Sequence, residues 1–222
     1  MKYKHRWISG DRIDLPEGKV VCVGRNYAAH INELNNPLPD DPVLFIKPGT
    51  ALSNIERILS LPKRRGEIHY ELEIALLMES TLTDASESDA LDGIKAVGLA
   101  LDLTLRDIQS KQKTKGLPWE VAKAFDGSCP VSGFVAKEHI NDLSTLEFSL
   151  EINGGLRQQG MVANMLTSIP GLLSYMSRHF TLLPGDIVLT GTPAGVGPLV
   201  EGDQLVLSIS DIFSVQTRCH YK

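Results

Sequence analysis

A succession of short β-branched and aromatic runs, each stopped by turn residues, limits what this chain can fold into. VVCVG (20–24) and PVLFI (42–46) end at turn residues, and ELEIALLM (71–78) alternates before becoming wholly apolar. KAVGLALDLT (95–104) reads as a further buried strand. The pattern returns late in the chain. LEFSLEING (146–154) reaches Asn153-Gly154, a tight-hairpin sequence, and LRQQG leads back. LPGDIVLTGTP and VEGDQLVLSI each set Gly-Asp before a strand. Helices are few and short: RDIQSKQKTKG is polar and closes at Gly116, and residues 27–34 allow a brief turn of helix. SIPGLLSYMSRHF (168–180) is the best amphipathic segment, with Pro170 tolerable in its first turn. The pattern predicts an α+β fold, β-rich, with mixed and largely antiparallel sheets.

With 222 residues, 42% hydrophobic and 22% charged, the chain predicts one globular domain over 1–222. A net charge of −5 argues against a nucleic-acid protein, which shows a basic face, but leaves room for an anionic metabolite in a locally cationic cleft. No apolar run approaches the ~20 residues of a membrane span, and MKYKHRWISGDRID lacks the apolar core of a signal peptide. Cys22, Cys129 and Cys219 are scattered and form no metal or disulfide pattern, so a reducing cytoplasm is expected. The acidic stretch 79–93 predicts a surface loop with a short helix, and the basic cluster Lys63, Arg64 and Arg65 a solvated patch.

Carboxylates carry the strongest chemical signal. In a strand, Glu71 and Glu73 point to one face, where two like charges repel unless protonated, paired with lysine or bridged by a cation. Asp102 ends the apolar run LALD and offers a third carboxylate. Three oxygen ligands suit Mg²⁺ or Mn²⁺ better than zinc; two solvent-facing glutamates on an edge strand satisfy the spacing equally. His30 and Glu33, three apart in a helix, share a face, where a carboxylate orients an imidazole as a general base; a surface ion pair has the same spacing. Arg106 and Gln109 repeat that spacing beyond Asp102, fit either to grip a carboxylate and an oxyanion or to line a polar helix face. Lys47 and Lys123 sit among apolar neighbours, either snorkelling to water or kept for an anion. TGTPAGVGP (190–198) is a glycine-rich turn whose amides and Thr192 hydroxyl can cradle a carboxylate, but it is neither a P-loop nor a dinucleotide fingerprint. GxSxG and HExxH are missing. His5, His139, His179 and His220 stand singly and predict structural or exposed roles, while His69 draws notice two residues before Glu71.

Taken together, VVCVGRNYAAHINEL, PVLFIKP, IHYELEIALLM, GLALDLTLRDIQ, GLPWEVAKAFDGSCPVS and GDIVLTGTPAGVGPL resemble the fumarylacetoacetate hydrolase family, in its single-domain acylpyruvase and oxaloacetate decarboxylase branch. The resemblance implies a β-rich roll after an N-terminal extension (1–19), a homodimer, and Mg²⁺ or Mn²⁺ on Glu71, Glu73 and Asp102. It implies His30 and Glu33 as a water-activating dyad on a lid, and Lys123 as a stabiliser of developing negative charge. Arg25, Lys47, Arg106, Gln109 and Thr192 would contact a small 2-oxo acid.

In such a site a 2-oxo acid chelates the cation, which stabilises an enolate. The intact dyad leads to the expectation of acylpyruvate hydrolysis, of the fumarylpyruvate or acetylpyruvate type, to pyruvate and a carboxylic acid. Decarboxylation or keto–enol tautomerisation of oxaloacetate uses the same site and is the alternative. A non-catalytic scaffold is a third reading, disfavoured because no site residue is lost.

Overall fold

The computed structural model describes residues 3–34, 37–55, 58–63 and 65–222. Its largest sheet is organised about the strand Leu72–Met78, every residue of which is buried. A run loses its polar alternation when both faces of its sheet are covered. Leu72, Ile74, Leu76 and Met78 enter a core shared with Phe148, Leu150, Leu205 and Leu207 of a second sheet. Ala75 and Leu77 face the other way, among Val20, Cys22, Phe45 and Phe134.

Across the large sheet the order is Val43–Lys47, Val20–Gly24, Ile187–Leu189, Leu72–Met78, Ile94–Leu101, Cys129–Val131 and Leu52–Asn54, with Val135–Ala136 also paired to Ile94–Leu101. Val20–Gly24 runs parallel to Ile187–Leu189, and Leu52–Asn54 to Cys129–Val131; the remaining pairs are antiparallel. The second sheet is ordered Gly155–Met161, Glu147–Ile152, Gln204–Ile209, Phe213–Tyr221, Ile58–Leu61, parallel only in its last pair. The architecture is the α+β fold of mixed, largely antiparallel sheets with few short helices that the strand pattern predicts, in the β-rich roll that the resemblance implies. The hairpin turns at Asn153 and Gly154, with φ of 54° and 77°, the left-handed pair that a two-residue turn demands.

KAVGLALDLT is not one strand. It divides into Ile94–Leu101 and Thr104–Leu105, freeing Asp102 from the ladder. Helix Ile169–His179 starts at Ser168, whose hydroxyl accepts from Gly171 N, and carries proline in its first turn. Residues 3–19 do not hang off the domain: Tyr3 and Ile13 complete the second face of the large sheet, and Phe134 N donates to Arg6 O. The stretch 79–93 is a largely exposed loop with the helix Glu87–Asp92, and Lys63 and Arg65 are exposed; Arg64 lies outside the described residues. All three cysteines are buried and unbridged. Among the described residues no helix is long and apolar enough to cross a membrane.

Candidate functional site

Antiparallel register assembles the site. Leu72 pairs with Leu101 and Glu73 with Ala100, and Asp102 N donates to Glu71 O at 2.8 Å. Glu71 and Asp102 therefore face each other at the end of two neighbouring strands, and Glu73 lies one pleat further in. All three point to the same side of the sheet, as side chains two apart must. The residue across from Glu73 is only an alanine. Oxygens of the three carboxylates lie within 4.8 Å of one another, and each residue is at most 5% exposed. The edge-strand reading of the glutamates is thereby removed.

Such a cluster needs positive charge. Lys123, on the short helix Glu120–Lys123, donates to Glu71 Oε2 at 2.7 Å and to Asp102 Oδ2 at 2.6 Å, and Arg106 Nη2 pairs with Glu71 Oε1. Burial pushes the Glu71 carboxyl up, but Lys123, Arg106 and His30 outweigh it and hold the group well below the usual carboxylate range. Among the described residues, the hydrogen bond Glu73 receives is from Gly191 N, at 2.6 Å on Oε2. Burial, then Asp102 and Glu71, push its carboxyl well above the ordinary value. Asp102 Oδ1 accepts no hydrogen bond, although Lys47 Nζ lies 2.8 Å away as an ion contact outside hydrogen-bonding geometry. Three converging buried carboxylates, with Glu73 pushed up by its acidic neighbours and Asp102 Oδ1 receiving no hydrogen bond, make an all-oxygen donor set that fits a hard divalent cation.

Lys47 does not meet the cleft. It is fully buried behind Asp102, donating to Lys123 O, Ser128 O and Ser128 Oγ. Its ammonium thereby ties the cluster to the carbonyl end of the helix that carries Lys123. The glycine-rich segment lines the cleft through Thr192 and also holds the protein's own groups. Gly191 N holds Glu73, Thr192 Oγ1 donates to Leu72 O at 2.8 Å, and Gly195 N donates to Glu33 Oε1 at 3.0 Å. Gly191 and Gly195 have φ of 98° and 99°, and a Cβ on Gly195 would lie 1.9 Å from Arg157 O. Gln158, from the second sheet, completes this support. Its Oε1 accepts from Leu72 N at 2.9 Å, and its Nε2 donates to Thr192 Oγ1 and Pro193 O, each at 2.9 Å. Both backbone groups of Leu72, the residue between the two glutamates, are thus clamped. A lone glutamine in an exposed-looking hairpin strand carries no sequence signal for this; only the packing of one sheet on the other reveals it.

His30 and Glu33 lie on the helix Ala28–Glu33, with Nδ1 and Oε2 3.2 Å apart. His30 opens onto the cleft above the carboxylates, together with Arg25, Arg106, Gln109, Lys123 and Thr192. Arg106 Nη1 donates to Gln109 Oε1 at 2.6 Å, and His69 stands behind Arg106, its Nδ1 accepting from Nε at 3.4 Å. Lys113 and Trp119 also line the cleft, and sequence reading missed both. The signal for Lys113 was present: it follows Arg106 and Gln109 on one face of the same helix. Trp119 packs against Gly24 and lies 5.9 Å from the Phe45 ring, closing one wall. Of the other histidines, His5 is buried and structural while His139, His179 and His220 are exposed.

Comparison with known proteins adds identity to this geometry. Residues 19–219 match the fumarylacetoacetate (FAA) hydrolase C-terminal family. Oxaloacetate tautomerase YcgM of Escherichia coli (strain K12) is 50% identical over 217 residues, covering 97% of this chain and 99% of that protein. The mitochondrial oxaloacetate tautomerase FAHD1 of Bos taurus is 46% identical over 197 residues, 89% of each chain. A crystal structure of fumarylpyruvate hydrolase from Pseudomonas aeruginosa, in complex with Mn²⁺ and pyruvate, is 31% identical with a TM-score of 0.92, covering 100% of this chain and 97% of that one. The two tautomerases overturn the expectation of acylpyruvate hydrolysis and match its oxaloacetate alternative. The physical reason lies in the dyad. An imidazole oriented by a carboxylate takes a proton from carbon as well as from water, so an intact His30–Glu33 pair does not select hydrolysis.

Proposed function

The chain belongs to the fumarylacetoacetate hydrolase family of enzymes, and on that premise we propose that it interconverts the keto and enol forms of oxaloacetate. One observation carries the reading: the His30 imidazole, held through Nδ1 by Glu33, opens onto the same cleft as the Glu71, Glu73 and Asp102 cluster. The names of the two tautomerases, which align with most of the chain, support it.

Tautomerisation moves one proton between C3 and the C2 oxygen. No carbon–carbon bond breaks and no water is consumed. With Nδ1–H given to Glu33, Nε2 of His30 keeps its lone pair and takes the proton from C3. The C–H electron pair becomes the C2–C3 double bond, and the carbonyl pair moves onto oxygen. The His30 imidazolium then passes that proton to the oxygen, and the enol leaves with His30 neutral again. Gln109, whose Oε1 is occupied by Arg106, keeps its amide protons for the oxygen on which charge develops. Two of the three Lys123 protons are committed to Glu71 and Asp102, so it acts first on the carboxylates and only then on substrate. Glu71, Glu73 and Asp102 would hold a divalent cation such as Mg²⁺ or Mn²⁺, which would supply Lewis acidity to the reaction. Homodimerisation and a cytoplasmic home belong to the same proposal, and light scattering of the purified protein checks the first.

The test follows the ultraviolet absorbance of enol oxaloacetate in the presence of Mg²⁺-loaded protein, with a coupled assay reporting any pyruvate. The wild type is expected to accelerate decay of the enol in proportion to its concentration, and His30→Ala to lose roughly 10²–10⁴ of that acceleration. A wild-type protein that leaves the keto–enol relaxation at its buffer rate refutes the function.

A further inference from the structure

The dyad helix Ala28–Glu33 is tied at both ends to one segment of chain, residues 190–195. At its root stands the buried Asn26, whose Nδ2 donates to Thr190 O at 2.9 Å and Thr167 O at 3.1 Å, while Oδ1 accepts from Thr167 N at 2.8 Å. At its tip Glu33 gives each carboxylate oxygen a separate partner: Oε2 lies 3.2 Å from His30 Nδ1, and Oε1 accepts from Gly195 N at 3.0 Å. Between those ties Gly191 N holds Glu73 Oε2. One stretch of chain therefore touches both the base and the carboxylate cluster. The strand Gly155–Met161 holds that stretch in turn. Gln158 Nε2 donates to Pro193 O, and Gly195 lies so close to Arg157 that a Cβ there would meet its carbonyl oxygen at 1.9 Å. The Gly195 amide is thus the fixed partner, and Glu33, its side chain 31% exposed, is the one that needs holding.

We propose that Gly195, through its main-chain N–H, is a positioning residue for the base: it fixes which atom of the residue 33 side chain faces His30, and so which imidazole nitrogen carries the proton. The inference rests on the reading of His30 as the base and deepens it. Its logic is one of donors and acceptors. Both oxygens of a carboxylate accept, so Glu33 serves Gly195 N–H and His30 Nδ1–H at once and leaves Nε2 its lone pair. A side-chain amide has one oxygen and one NH₂. Gly195 N–H claims the oxygen, the NH₂ turns to His30, Nδ1 becomes an acceptor and Nε2 takes the proton. Without the Gly195 donor such an amide is free to turn its oxygen to His30 and keep the tautomer. An imidazole in the wrong tautomer lowers kcat by up to about 10⁴.

Nitrogen NMR of the neutral His30 ring in Mg²⁺-loaded protein, alongside the kinetics of enol oxaloacetate relaxation, tests the assignment. Wild type is expected in the Nδ1–H form and Glu33→Gln in the Nε2–H form, with kcat lowered roughly 10²–10⁴-fold and KM moved less than about threefold. Gly195→Ala, whose Cβ drives the amide off Glu33, is expected to lower kcat about tenfold or more. In the double variant Glu33→Gln costs less kcat than it does alone, and His30 returns in part to the Nδ1–H form. A His30 that keeps Nδ1–H in Glu33→Gln overturns the assignment, and so does a folded Gly195→Ala with wild-type kcat. Should Gly195→Ala fail to fold, the Glu33→Gln spectrum decides alone. A wild type that does not accelerate the relaxation removes the functional reading, while the two spectra still uphold or overturn the positioning role.

Discussion

Gln158 is fully buried and makes three hydrogen bonds that bridge the two sheets beneath the carboxylate cluster. Replacing it with methionine keeps length and approximate volume, so packing changes little, but every polar contact is lost. Leu72 N–H and Pro193 C=O then have no side-chain partner in a buried setting. Each orphaned group costs about 1–3 kcal/mol, so Gln158→Met is expected to destabilise the fold by roughly 2–6 kcal/mol in sum. For a chain of this size each kcal/mol lowers Tm by about 2–4 °C, which makes the drop roughly 4–24 °C. A second effect follows from position. Leu72 separates Glu71 from Glu73, and Thr192, which still donates to Leu72 O, loses its own anchor. Loosening groups that orient metal ligands typically weakens metal affinity by about 10–100-fold. Circular dichroism melts of the metal-free protein measure the first effect, and Mn²⁺ titration followed by electron paramagnetic resonance measures the second. If Gln158→Met melts within 2 °C of wild type and binds Mn²⁺ within about twofold, the clamp does not position the cluster.

Two further predictions use other parts of the molecule. Glu73→Gln removes the one cluster carboxylate that makes no ion pair among the described residues, so the metal-free variant is expected to melt no lower than wild type. Mn²⁺ at a hundredfold excess over the wild-type Kd, worth about 2.7 kcal/mol to the wild type, should leave its melting temperature unmoved; a wild-type-sized rise would remove Glu73 from the ligand set. His5 is buried between Tyr3 and Pro16, and burial lowers its pKa from the ordinary 6.5. The unfolded chain therefore binds a proton near pH 6.5 that the folded chain refuses, and stability is present above that pH and lost as pH falls through the window below it. Urea midpoints between about pH 5 and 8 should fall on the acid side and flatten in His5→Gln; a wild-type midpoint that rises toward acid contradicts the sign.

Periodicity made the fold class legible because a strand's two-residue repeat is a local property. Asn153-Gly154 adopts its turn for reasons contained in those two residues, and Ser168 caps its helix likewise. Spacing likewise put Glu71 beside Glu73, His30 beside Glu33 and Arg106 beside Gln109, since each pair lies within one strand or one helical turn. Asp102 joined them through antiparallel register, a long-range relation to which its apolar flanks only hinted. What the chain alone left open was how each polar group is committed. Lys47 reads as a ligand-binding residue, yet the fold gives it to Asp102 and Ser128, whereas Thr192 lines the cleft and is also committed to Leu72 and Gln158. Gln158 was invisible for the same reason: its partners come from remote segments, and only the packing of two sheets brings them together. Chemical type is written residue by residue, whereas occupancy of a donor or acceptor is decided by which distant atoms the core brings within 3 Å, the reach of a hydrogen bond.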